Sequence, residues 1–168
     1  NEMKNARFNL DMIPNANREQ VRLRIAFGSN DGNPKPFDGF AFDNFFVGEK
    51  KRNVLVEHFT TYTLPASLAA DAYLNTLLLQ QITPDHQISD FSNIQYHVNF
   101  SGVDSLNRDN PTDPAARALY FGVSQPPYTI MDGKLVPGKF TGVTTEINKV
   151  EIDRRALEDP QFELTLDT

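Results

Sequence analysis

Ser67 and His58 are the first residues in this chain whose types could do chemistry together. A serine attacks only when a base takes its proton, so His58 would have to serve Ser67 as that base. The sequence names neither a third triad member nor oxyanion donors, and a structural histidine on a sheet is the plainer reading. A Ser/His hydrolase is therefore the remote alternative. Glu57, His58, His97, Asp104 and Asp109 could ligate a metal, but zinc needs three or four ligands placed together. Asn30, Asp31, Asn33, Asp38 and Asp43 form an oxygen-rich loop group of the kind calcium prefers. They lack the Asp-x-Asp-x-Asp-Gly spacing, and a solvated turn in which Asp31 and Asp38 bond their own loop competes with a site. Calcium is the one cofactor suggested, and no other is expected. The chain has no cysteine, which removes disulfides, thiolate metal sites and dithiol redox chemistry together.

Partners are narrowed by charge. The net charge is −6, and basic residues cluster only at Lys50-Lys51-Arg52 and Arg154-Arg155, too few to neutralise a phosphate backbone. Nucleic acid is not an expected partner. The apolar run Leu77-Leu78-Leu79 is far shorter than a membrane span, so no direct insertion is expected. Hydrophobic residues make up 39%, including 13 Phe, enough for a packed core and too many for a disordered chain.

The elements that would position these residues divide at about residue 50. Before it the pattern alternates. Phe8, Leu10 and Met12 share one face, and Val21, Leu23, Ile25 and Phe27 share another with Arg22 and Arg24 opposite. A turn is expected at residues 14–17, and a third strand at 39–47. Residues 48–53 read as a charged hinge. After it, Val54, Leu55, Val56 and Phe59 form a short apolar run that fits a buried parallel strand. It leads into a helix over 65–81, with Thr63 as N-cap, Pro65 in the first turn, and Leu68, Ala72, Leu74, Leu77 and Leu78 available for burial. A strand is expected over 94–100, a long loop over 101–113 and a helix over 114–121 with Ala115, Ala118, Leu119 and Phe121 on the sheet. Asp132-Gly133 should turn a hairpin between 128–131 and 134–136. A last helix over 146–157 would present Ile147, Val150 and Arg154, and residues 162–166 alternate again, as if entering a downstream strand or domain.

The stretch from Val54 to Ser67 resembles the active-site segment of thioredoxin-like proteins, where a strand leads into Trp-Cys-x-x-Cys at a helix start. On that alignment Thr63 falls on the Trp, Leu64 on the first Cys and Ser67 on the second. Gly122-Val123 followed by Pro127-Tyr128 is similar to the family's Gly-Val-x-x-x-Pro-Thr, with Pro127 on its cis-proline. The wording looks most like thioredoxin-like domains of large surface proteins of Bacteroidetes-type bacteria. Asp38-Gly39-Phe40-Ala41-Phe42-Asp43-Asn44-Phe45 resembles the last strand of MAM-type and protease-associated jelly-roll sandwiches.

The resemblance implies an α/β fold: residues 51–160 as a thioredoxin-like domain, residues 1–50 as the end of a β-sandwich domain, and 161–168 as the start of a further element. It implies a redox-inactive, non-enzymatic module of a secreted or cell-surface protein, acting as spacer or as binder of protein or peptide, with neighbouring domains of the same polypeptide as partners. The former active-site groove would comprise Tyr62, Leu64, Ser67, Pro126, Pro127 and Tyr128. The alternative is an adhesin fragment whose N-terminal β part binds calcium or a surface glycan.

Overall fold

The computed structural model describes residues 6–10, 13–26, 41–48, 50, 52–81, 90–100, 102–133 and 142–160. Together they form a mixed α/β fold with a three-stranded sheet and four α-helices. The sheet is built on β1 (Val54–Thr60), the central strand of the order β2-β1-β3. β1 runs parallel to β2 (Phe91–His97) and antiparallel to β3 (Tyr128–Met131). All of β1 except Leu55 is buried, which is why its sequence is a continuous run rather than an alternation.

α1 (Pro65–Gln81) connects β1 to β2. Pro65 opens it at a position where a missing N–H costs nothing. Leu64, not Thr63, stands before the helix, and its carbonyl accepts from the Ser67 and Leu68 amides. Thr63 instead pairs with the Thr61 hydroxyl at 3.0 Å. The buried stripe runs through Ser67, Ala70, Leu74 and Leu77, at helical spacing. Leu68 and Ala72 fall outside that stripe and are exposed, contrary to expectation.

Two cores result, one on each face of the sheet. On the first, Val54 and Val56 pack with Leu74, Leu77, Phe91, Met131 and Ile147, and with Ile152 and Ala156 of α4 (Lys149–Ala156). On the second, Phe59, Val98 and Ile130 pack with Val123 and with Ala118 of α3 (Thr112–Phe121). Phe59 also stacks on Tyr96 at 5.1 Å between centroids.

Several boundaries differ from the sequence reading. β2 begins at Phe91 and ends at His97, because the Asn107 side chain takes the His97 carbonyl at 2.7 Å. The expected 101–113 loop contains a five-residue helix, α2 (Ser105–Asp109), capped by Asp104, whose carboxylate accepts from the Leu106 and Asn107 amides. α3 buries Pro114 and Ala118 and leaves Ala115 and Leu119 outside. α4 starts after the cap Asn148 and buries Ile152 and Ala156, one turn apart, so Val150 stands 74% exposed and Arg154 faces solvent. Within the 48–53 stretch, two of the described residues are tied by ion pairs. Lys50 pairs with Asp90 at 2.5 Å, and Arg52 with Asp132 at 2.5 Å and Glu158 at 3.1 Å.

Before β1 the described residues contain no strand. Asn15–Gln20 form a 3-10 helix, and residues 6–10, 21–26 and 41–48 join no ladder, leaving Val21, Leu23, Ile25, Phe42 and Phe45 exposed. Alternation makes a strand only when an edge is available to receive its backbone bonds. Arg7 nevertheless pairs with Asp159 at 2.6 Å beyond the end of α4. The expected strands at 134–136 and 162–166 lie outside the described residues.

Asp132 and Gly133 both have positive φ, 54° and 65°, as a type I′ turn requires. The Asp132 carboxylate also accepts the Leu55 amide at 3.0 Å, which clamps the turn to the start of β1. Gly142 has φ 90°, and an added methyl there would overlap the Tyr128 ring, whereas Gly133 has open space around it. Gly142→Ala is therefore expected to destabilise by about 2–4 kcal/mol and Gly133→Ala by only about 1 kcal/mol. Urea unfolding of the two variants checks this ordering, and equal losses would contradict it.

Candidate functional site

The second half of β1 carries polar side chains into the interior, and strand alternation divides them between the two faces. Glu57 turns to the α3 side. Its carboxylate, 1% exposed, takes Arg117 through Nε at 2.6 Å and Nη2 at 2.9 Å, and the Tyr96 hydroxyl at 3.3 Å. The Arg117 guanidinium lies 4.5 Å from the Phe121 ring centroid. Burial and the Glu57 carboxylate push the Tyr96 hydroxyl up, while that carboxylate also holds Arg117 more firmly protonated.

His58 turns to the α1 side and is fully buried. Its Nδ1 lies 2.8 Å from Thr129 Oγ1, directly across the β1–β3 ladder. Thr129 Oγ1 lies in turn 2.8 Å from Thr144 Oγ1, in a 3-10 turn (Thr144–Glu146) before α4. His58 Nε2 sits 3.0 Å from Asp71 Oδ1 of α1, off the line of a straight hydrogen bond. Asp71 Oδ2 accepts from the Thr60 hydroxyl at 3.1 Å. Burial lowers the His58 pKa; Asp71 opposes that shift and His97 adds to it.

His97 pairs in register with Thr60 and so shares the face of His58, yet its partner is different. Nδ1 lies 2.9 Å from Asp104 Oδ2. Asp104 is fully buried and also accepts from the amides of Tyr62 at 3.2 Å and Leu106 at 2.9 Å. Burial pushes this carboxyl up, but the bonds from His97, Tyr62 and Leu106 outweigh it and hold the pKa below the usual carboxylate value. Asn99 completes the hub by accepting the Asp104 amide at 2.7 Å and donating to Asn107 at 2.6 Å.

Thr144 also lines an open groove of roughly 380 Å³. Ala66, Ala69, Ala70 and Tyr73 of α1 form one wall, and Pro127, Val143 and Thr145 complete it. The Tyr73 hydroxyl donates to the Ile147 carbonyl at 3.0 Å, fixing the ring in place. The peptide bond between Pro126 and Pro127 is cis.

Of the six groove residues named from sequence, Pro127 alone is in that lining. Ser67 is fully buried, and its Oγ has no hydrogen-bond partner, so no Ser67–His58 pair forms. Pro126 is buried, and Leu64 is half-buried. Tyr62 is exposed but tethered, its hydroxyl donating to the Val103 carbonyl at 3.0 Å. Tyr128 is half-buried, with its ring against Gly142. The alanine wall, Asp71, Thr129 and Thr144 were missed. Ala66, Ala69 and Ala70, at i, i+3 and i+4, were the legible signal for the wall.

Of the calcium group, Asn30, Asp31, Asn33 and Asp38 lie outside the described residues, and the Asp43 carboxylate accepts the Asn44 amide at 2.7 Å. Among the described residues no three His, Asp or Glu side chains come together as a metal site. No protein-family description fits this sequence, and no curated protein or solved structure is significantly similar to it.

The two buried acid–base pairs both lose stability on acidification, but in different pH windows. Asp104, with its lowered pKa, contributes stability that is full above the ordinary carboxylate value and lost as pH falls through the lowered one. Asp104→Asn is expected to cost about 2 kcal/mol near neutrality, with the gap to wild type closing below about pH 4. His58 is neutral in the fold, while the unfolded chain takes up a proton below about pH 6.5, so stability falls as pH drops from there toward the lowered value. His58→Gln is expected to remove that slope. Denaturant midpoints from pH 3 to 8, as a practical range of roughly one unit per step, would show whether each slope disappears with its residue.

Proposed function

We propose that residues 51–160 are a thioredoxin-like module without redox chemistry that holds extended peptide in the groove beside Pro127, as part of a secreted or surface-attached protein. The order of elements supports the first half of the reading: a parallel β1–α1–β2 unit followed by antiparallel β3. The positions aligned with the family's thiols are Leu64 and the buried Ser67, and the chain holds no cysteine at all. What remains at that end of the sheet is shape.

The groove is the observation that carries the binding half. Three alanines give α1 a flat wall, so a main chain could approach the helix closely, and Pro127 and Val143 supply apolar contact opposite. Peptide docking beside a sheet end uses main-chain pairing for affinity and pockets for selectivity. A pure spacer would need no such groove.

Ala66 is exposed on the groove wall, so a bulky side chain there fills the groove without entering the core. Ala66→Trp is expected to weaken binding to a peptide array by at least about tenfold with an unchanged melting temperature. Equal binding by both proteins would remove the groove reading, and no binding by either would leave the spacer role.

A further inference from the structure

We propose that the Thr144 hydroxyl is locked as a hydrogen-bond acceptor toward the groove, so that the bound ligand presents an N–H donor at that point. This inference rests on the groove being a peptide site and assigns the polarity of one contact within it.

The lock follows from a chain of contacts that begins at Asp71. A carboxylate accepts and cannot donate. It stands 3.0 Å from His58 Nε2, off a straight line, and a lone pair on that nitrogen would still lie beside the negative charge. The proton therefore resides on Nε2, and Nδ1 is left as an acceptor. Thr129 Oγ1, 2.8 Å away, must donate its single proton to Nδ1. That hydroxyl then has only lone pairs for Thr144 Oγ1, also 2.8 Å away, so Thr144 donates to Thr129. Each hydroxyl has one proton, and both are now committed. Thr144 is a residue of the groove wall, and its hydroxyl is left with lone pairs alone for a ligand that reaches it.

Burial makes this polarity consequential. His58 and Thr129 are 0% and 1% exposed, so water cannot readily supply a substitute donor or acceptor at the two groups that set the polarity. A ligand carbonyl set against Thr144 would meet a second acceptor and lose its own hydrogen bond with water. A secondary amide or a protonated amine meets what it needs. The ligand class is thus a peptide with an unsubstituted main-chain N–H at this position, and a tertiary amide is rejected.

The probe is N-acetyl-trialanine N-methylamide, together with its singly N-methylated analogues, titrated into isotopically labelled protein by NMR. One analogue is expected to bind the wild type about five- to tenfold more weakly than the parent, the effect of one hydrogen bond. The penalty should vanish in Thr144→Val and persist in Thr144→Ser, which keeps the hydroxyl. It should also collapse in Asp71→Asn, whose amide allows the ring either tautomer. Nitrogen shifts of His58 in the wild type, which need no ligand, are expected to report a proton on Nε2. A proton on Nδ1, or the same penalty in Thr144→Val, would overturn the inference while leaving the groove reading intact. If the parent does not bind the wild type at all, the inference falls, while the groove reading stands or falls with Ala66→Trp on the array.

Discussion

The central strand buries consecutive polar residues on both of its faces, and the other elements are placed to answer them. Glu57, His58 and Thr60 of β1 are each essentially inaccessible to water. An unpaired charge or donor in such a position costs several kcal/mol, more than one apolar contact returns. Four neighbours of β1 each supply a partner. α3 brings Arg117 and β2 brings Tyr96 to Glu57, while α1 brings Asp71 and β3 brings Thr129 to His58. Apolar packing is non-directional and would allow α1 or α3 to slide along the sheet. These contacts set register because each works only at a short distance and a narrow angle.

A second polar centre does for the loops what β1 does for the elements. Five residues cannot hold a helix by themselves, so α2 depends on its cap. Asp104 supplies it and at the same time binds the Tyr62 amide from the β1–α1 loop and His97 at the end of β2. Asn99 and Asn107 close the same circuit onto the His97 carbonyl. The C-terminal ends of both parallel strands and the approach to α1 are thereby joined at one carboxylate. The N-terminal turns of α1, which form the groove wall, hang from a rigid support.

Much of this could be read from residue patterns, and the divisions are physical. The bounds of α1 follow from Pro65 and a long Ala- and Leu-rich run, and the Asp132-Gly133 turn follows from the φ values those residues tolerate. Which face of α1 is buried was not legible, because Leu68 and Leu74 look alike until Ser67 is seen to turn inward. α2 was hidden because five residues leave no periodicity, and its support comes from the Asp104 cap and the side-chain bonds around it to Asn99 and Tyr62. The alternating stretches before β1 differ in the other direction: among the described residues they join no ladder. Their pattern is strand-like, but pairing depends on a neighbour that local sequence does not specify. At the site, Ser67 invited a catalytic reading by type alone, and only burial revealed that it serves the helix–sheet contact.

The buried chain from Asp71 to Thr144 bears on whether this domain is an inert spacer or a binder. Replacing a buried polar set by well-packed apolar residues is often neutral or stabilising, so stability alone gives little reason to retain four such groups in a row. The chain has a direction, however: it starts at a half-exposed carboxylate, passes through a neutral imidazole and ends at the wall of the apolar groove. Along it each proton is committed by the group before, which converts a fixed charge at one side of α1 into a fixed hydrogen-bond polarity at the other. That conversion would have a use in recognition, beside the register these contacts set for α1 and β3 on β1. Any selectivity of the groove would then derive from the strand beneath it, through Thr129 and Thr144, and not from positions 64 and 67.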